Sequence, residues 1–143
     1  AFYERIDYSV YRYIATYYDE GRESKPAIKQ GDEVTITFTA YVFTGSTPSL
    51  AAVYMSNDQS VINALGQAGL NTDYWEAEPL TIKIGQTNII KGVTTSLIGC
   101  REGDVVEAYM TLDAAYDDKV VGVVPKNSSV AWFYTIDSVN GAQ

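Results

Sequence analysis

Apolar residues recur along this chain at two periods, and each change of period marks a new element. The run EVTITFTAYVF, residues 33–43, alternates: Val34, Ile36, Phe38, Ala40 and Val42 share one face, with Thr35, Thr37, Thr39, Tyr41 and Phe43 on the other. That is the pattern of a half-buried strand. Residues 79–84 alternate through Leu80, Ile82 and Ile84, and residues 130–139 through Val130, Trp132, Tyr134 and Ile136. Residues 105–112 read as a strand with mixed faces, and residues 50–55 as a short one.

Elsewhere the spacing is helical. Phe2, Ile6, Val10, Ile14 and Tyr17 predict a helix over residues 2–18, ended by Asp19, Glu20 and Gly21. It either packs on the main body or mediates contacts. Val61, Ile62 and Leu65 predict a short helix, with Ser56, Asn57 and Asp58 as candidate N-caps. Asn88 can cap a helix over residues 89–98, whose apolar positions are Ile89, Ile90, Val93, Leu97 and Ile98; Gly99 stops it. The intervening stretches GRESKPAIKQGDE, TGSTPS, NTDYWEAE, REGD and DAAYDDKVVGVVPKNSS are connectors. Trp75 is either pinned on the core or exposed for binding. Strands outnumber helices and turns are short, so the fold class is α+β: an antiparallel sheet with one short helix lying across it, plus the N-terminal helix. The chain divides into an N-terminal extension, 1–28, and a main domain, 29–143.

Composition narrows the chemistry. With 143 residues, 46% apolar and 20% charged, the chain is one domain with a sizeable core. The net charge of −8 argues against nucleic acid and against a basic patch on anionic lipid. Histidine is absent, which removes imidazole acid–base catalysis, Ser-His-Asp triads and His-ligated metals. The lone Cys100, at the end of an apolar helical pattern, reads as a small buried hydrophobe. No run of 18 apolar residues exists. The chain starts at Ala1, where a leader could have been removed. Twelve Tyr with few Lys fits an envelope or secreted protein.

Four stretches point further. Gly85 is followed by Ile89-Ile90-Lys91-Gly92-Val93, then Leu97 and Gly103. Ala115-Tyr116 follows a strand. Gly122-Val123-Val124-Pro125 precedes the last strand, and VTITFTA opens the first. In this order and spacing the chain resembles the FK506-binding protein (FKBP) type of peptidyl-prolyl isomerase over residues 29–139, with an insertion at about 56–78. The resemblance implies an FKBP-like sheet wrapped against one short helix, no cofactor and no metal.

It also implies a pocket. Tyr116 corresponds to the pocket tyrosine whose hydroxyl donates a hydrogen bond. The backbone N–H at Ile90 corresponds to the one that binds a ligand carbonyl. Ile89 and Ile90 form a wall, and Val93 stands where a Trp usually forms the floor. Phe38 matches a pocket Tyr, Leu80 a pocket Phe, Trp132 a Phe of the last strand, and Val123 an apolar residue of the long loop. Tyr54 matches an aromatic residue and Met55 the aspartate beside it. The Gly that normally follows the pocket tyrosine is Asp117. The pocket is altered at Val93, Leu80 and Met55, and keeps Tyr116 and the Ile-Ile wall.

Such a site needs neither proton transfer nor a metal. Rotation about a peptide bond faces a barrier of roughly 18–20 kcal/mol because resonance is broken. The twisted amide is less polar than the planar one, so a dry apolar slot favours it. The implied activity is cis-trans isomerisation of proline-containing peptides or unfolded protein, with macrolide-type inhibitors as further ligands. Two alternatives stand beside it: a catalytically weak or inactive FKBP-like binding or chaperone module of the cell envelope, and a structural domain of an envelope assembly. Ile89, Ile90, Val93 and Leu97 are also what any helix on a sheet would bury. The resemblance further implies a periplasmic or membrane-anchored lipoprotein setting.

Overall fold

A computed structural model describes residues 2–7, 10–43, 52–69, 77–84, 91–111 and 129–140. The longest strand is the one the Thr/apolar alternation marks, β3 (Glu33–Phe43); Val34, Ile36, Phe38 and Ala40 on its inner face are buried. It pairs antiparallel with the final strand, β7 (Ser129–Asn140), along its whole length, and β7 pairs in turn with β6 (Val105–Met110). On the other edge of β3 two short strands share the space. β4 (Val53–Ser56) pairs with residues 39–41, and β5 (Leu80–Lys83) with residues 33–36.

The N-terminal segment corrects the sequence-based expectation. The helix predicted over residues 2–18 is a β-hairpin, β1 (Phe2–Asp7) and β2 (Val10–Ile14), and β2 adds to β6 with Val10 opposite Met110 and Ile14 opposite Val106. The sheet order is β1-β2-β6-β7-β3-β4, with β5 also on β3. Residues four apart lie on one face of a strand as well as of a helix, so Val10 and Ile14, both buried, satisfied both periods. The Tyr-rich composition here favours the strand.

Two helices complete the described chain. α1 (Gln59–Gln67) starts at Asp58, whose carboxylate accepts from the Ser60 N–H at 2.9 Å, and buries Ile62 and Leu65. α2 (Lys91–Leu97) lies against the inner face near β2 and β6 and ends at Gly99, whose φ of 91° suits a residue without a Cβ. Val93 and Leu97 are fully buried, each worth about 1.5–3 kcal/mol of burial.

A buried cation fixes that helix end. Arg12, at an inward position of β2, donates from Nη1 to the carbonyls of Ser96 (2.9 Å) and Ile98 (2.6 Å) and lies 3.7 Å from Cys100 Sγ. A guanidinium here meets both the carbonyls left over at a helix C-terminus and its negative dipole end. Thus β2 holds α2 in place.

Candidate functional site

The site is built where the inner face of β3 and β7 meets α2 and β4. Phe38 and Trp132 occupy adjacent rows of neighbouring strands, and their rings stack at 4.5 Å with an interplanar angle of 12°. Trp132 is fully buried, so its indole N–H requires an acceptor. Tyr54 provides one: Trp132 Nε1 donates to its hydroxyl at 2.8 Å. Tyr54 reaches it because a bulge in β4 leaves it as the extra residue, between Val53 opposite Tyr41 and Met55 opposite Ala40.

Of the sequence-derived positions, Phe38, Tyr54 and Trp132 are therefore brought together. Val93 lies in the same buried cluster with no exposed surface, and Leu80 packs half-buried against it. Met55 is exposed. Tyr116, Ile89, Ile90 and Val123 lie outside the described residues, as does Trp75.

The floor of α2 is polar but satisfied. Ser96 Oγ donates to the Val93 carbonyl at 2.7 Å and shares a hydrogen bond of 2.8 Å with Tyr134 Oη. Burial pushes the Tyr134 phenol well above its ordinary range, so it stays neutral. Burial also pushes the Cys100 thiol up to about 11, against the opposing pull of Arg12. Cys100 is thus an inert thiol, in keeping with the sequence reading. Among the described residues no cluster could hold a metal ion.

Asn57 plays a part that sequence did not reveal. It sits in the gap between β4 and β5 and finishes the edge of β3 with its side chain. Its Oδ1 accepts from Phe38 N–H at 2.7 Å, while Nδ2 donates to Ile36 O at 3.1 Å and Glu78 O at 2.8 Å. An amide, with donors and an acceptor, satisfies a strand edge at both kinds of group. The only sequence signal was a run of polar cap candidates, of which Asp58 is the cap.

A second fixed point ties the segment after β2 to the turn before β6. Asp104 is buried and accepts from Arg22 Nε (2.8 Å) and Nη2 (2.9 Å), from Arg101 N–H (2.9 Å) and from Thr16 Oγ1 (3.0 Å). Burial pushes its carboxyl up, but these hydrogen bonds prevail and hold it below the ordinary carboxylate range.

Comparisons agree with this architecture. The model of the FKBP-type peptidyl-prolyl cis-trans isomerase family matches residues 24–136. FK506-binding protein 1 of Aspergillus oryzae is 25% identical over 119 residues, covering 83% of this chain and 92% of that protein. FK506-binding protein 1A of Neurospora crassa is 28% identical over 74 residues, covering 51% and 62%. Among solved structures, the N-terminal domain of FKBP42 from Arabidopsis thaliana shares the fold with a TM-score of 0.68 at 12% identity, covering 99% of this chain and 94% of that one. FkpA from Escherichia coli does so with a TM-score of 0.62 at 17% identity over 94% of this chain, which spans 49% of the FkpA chain. With the family pattern running from the 3-10 turn at Arg22–Ser24 to Ile136 in β7, the chain belongs to the FKBP-type peptidyl-prolyl cis-trans isomerase family.

Proposed function

We propose that this chain is a peptidyl-prolyl cis-trans isomerase whose aromatic base is supplied from the sheet, by Phe38 and Trp132, instead of from α2. The observation that carries the proposal is the stacked Phe38–Trp132 pair, fixed through Trp132 Nε1 to Tyr54 Oη. On this assignment Ile89 and Ile90 form the wall, the Ile90 N–H binds the carbonyl of an extended segment, and Tyr116 donates to a second carbonyl. Leu80, Met55 and Val123 border the slot.

Catalysis then consists of desolvation and orientation. The planar amide is more polar than the twisted one, so moving the X-Pro bond from water into an apolar slot costs the ground state more than the transition state. A thousandfold acceleration needs only about 4 kcal/mol of differential stabilisation. No covalent bond forms and no proton moves. The ligands are proline-containing polypeptide segments and FK506-type molecules.

NMR exchange spectroscopy on an Ala-Leu-Pro-Phe peptide tests this, with and without catalytic amounts of protein. The uncatalysed process takes tens to hundreds of seconds. Acceleration well above that, reduced by Tyr116→Phe, supports the proposal. A second reading, a binding module without appreciable catalysis, is favoured by the complete burial of both Val93 and Trp132. Peptide-induced shifts with no change in exchange rate would select it.

A further inference from the structure

The opposite face of the sheet carries a second concavity, lined mainly by outward positions of β3, β6 and β7; of the described residues assigned to the proline slot, only Phe38 borders it. Its volume is about 290 Å³, at the lower end of small-molecule pockets, which suits one side chain better than a whole ligand. The cross-strand register explains it. Phe133 on β7 is flanked by Thr39 on β3 and Glu107 on β6; the next row has Tyr41, Ala131 and Tyr109. Ala131 is small, so the rings of Tyr41 and Tyr109 lean toward Phe133, at 5.1 and 5.9 Å between centroids. Short Thr37 and Thr135 on the other side leave the floor open, and the start of α1 stands beside it as a wall.

The lining is aromatic and acidic at once. Tyr41 and Phe133 supply ring surface, Val61 and Val105 apolar edges, and Asp58 and Glu107 carboxylates. Val105 is 42% exposed. Among the described residues that line the cleft none is Lys or Arg. Burial, then Asp58 and Glu107, raise the Tyr41 phenol, in keeping with both carboxylates acting at that ring.

We infer that this cleft binds a lysine or arginine side chain of a polypeptide, with the cation between Asp58 and Glu107 and its alkyl stem on Phe133 and Tyr41. Ring faces attract a cation through their quadrupole, and guanidinium or ammonium stems bury readily against apolar surface. A neutral side chain gains only the apolar contact, and an acidic one meets two carboxylates of its own sign. The net charge of −8 draws basic segments toward the molecule in general; the cleft gives one such residue a defined seat. This inference does not depend on isomerase activity, because the cleft and the proline slot lie on different faces of the sheet.

The test uses the full chain, isotopically labelled, and two proline-free probes: Ac-Gly-Lys-Gly-Lys-Gly-amide and the same peptide with acetylated lysines. Amide shifts should localise to residues 37–41, 105–107 and 133–135 with the first probe and be absent with the second. Asp58→Asn keeps a good N-cap while removing charge, and Glu107→Gln keeps size. Together they should weaken binding by roughly three- to tenfold, and Phe133→Leu by a similar factor. Equal response to the acetylated probe, shifts scattered over the whole acidic surface, or affinity unchanged in a folded Asp58→Asn/Glu107→Gln protein would each overturn the inference.

Discussion

Replacing Asp104 by Asn tests how the N-terminal segment is held. The substitution conserves size and removes the charge that faces Arg22 at 2.8 Å. Both side chains are largely buried, at 8% exposure for Arg22 and 1% for Asp104, beside a cleft of about 250 Å³ that both line. Removing one member of a buried pair leaves the other uncompensated, at a cost of about 3–5 kcal/mol. For a domain of this size, roughly 3 °C per kcal/mol then puts the melting point about 10 °C lower. Urea unfolding at pH 7 measures the loss directly.

The pH dependence gives the sign independently. The Asp104 carboxyl titrates below its ordinary range when folded, so its contribution is present above the unfolded value, near 3.9, and is lost as pH falls through the lower folded value. The stability gap between the native protein and Asp104→Asn should therefore be constant near neutrality and narrow progressively below about pH 4. A loss under about 1 kcal/mol at pH 7, or a gap that does not narrow as pH falls below about 4, would refute the reasoning.

Three further outcomes follow from single sites. Val93 has no exposed surface, so Val93→Trp should overpack the core and cost about 1–3 kcal/mol without raising the exchange rate; a stable, faster enzyme would mean that the floor stands open. Asn57→Ala removes the acceptor for Phe38 N–H and the donor to Ile36 O on the edge of β3, and the donor to Glu78 O beyond it; it should cost about 2–3 kcal/mol and speed hydrogen exchange at the Phe38 amide, and native-like protection there would contradict the plugging role. Cys100, buried with a thiol at about 11, should resist iodoacetamide at pH 8 until urea unfolds the chain, and rapid native-state alkylation would show local opening.

How far the sequence could be read depended on whether each strand had one wet face. β3 alternates Thr with apolar residues and was legible from Glu33 to Phe43. β6 looked mixed because Val105 and Tyr109 give its outer face apolar character, although Val106, Ala108 and Met110 alternate as buried residues. That apolar outer face is the edge of the second cleft, so the ambiguity had a structural cause. β2 was misread because the inward position between Val10 and Ile14 holds Arg12, a charge that no hydrophobic count assigns to a core. Its partners, the Ser96 and Ile98 carbonyls, lie more than eighty residues away and leave no trace in local sequence. Phe38, Tyr54 and Trp132 could be named only through family resemblance, since periodicity marks a buried ring without saying what it contacts.

Those three residues and Val93 are best understood as one change. On the proposed assignment, the helix position that usually holds the indole has shrunk to Val, while the β7 position that usually holds a Phe has grown to Trp. Core volume is conserved when a large side chain moves from one wall to the facing one, and such swaps are tolerated far better than either half alone. The move carries a polar consequence, because an indole N–H on β7 needs a buried acceptor, and Tyr54 Oη at 2.8 Å meets that need where a phenylalanine could not. The positions should therefore be energetically coupled. Trp132→Phe should open a void and strand no donor, Val93→Trp should overfill, and the double substitution should be more stable than the sum of the two by about 0.5–3 kcal/mol, the range for residues that share a packing site. A strictly additive cycle would mean that Val93 and Trp132 fill unrelated parts of the core, and the sheet-borne aromatic base would then be a coincidence of composition and no longer a rebuilt floor.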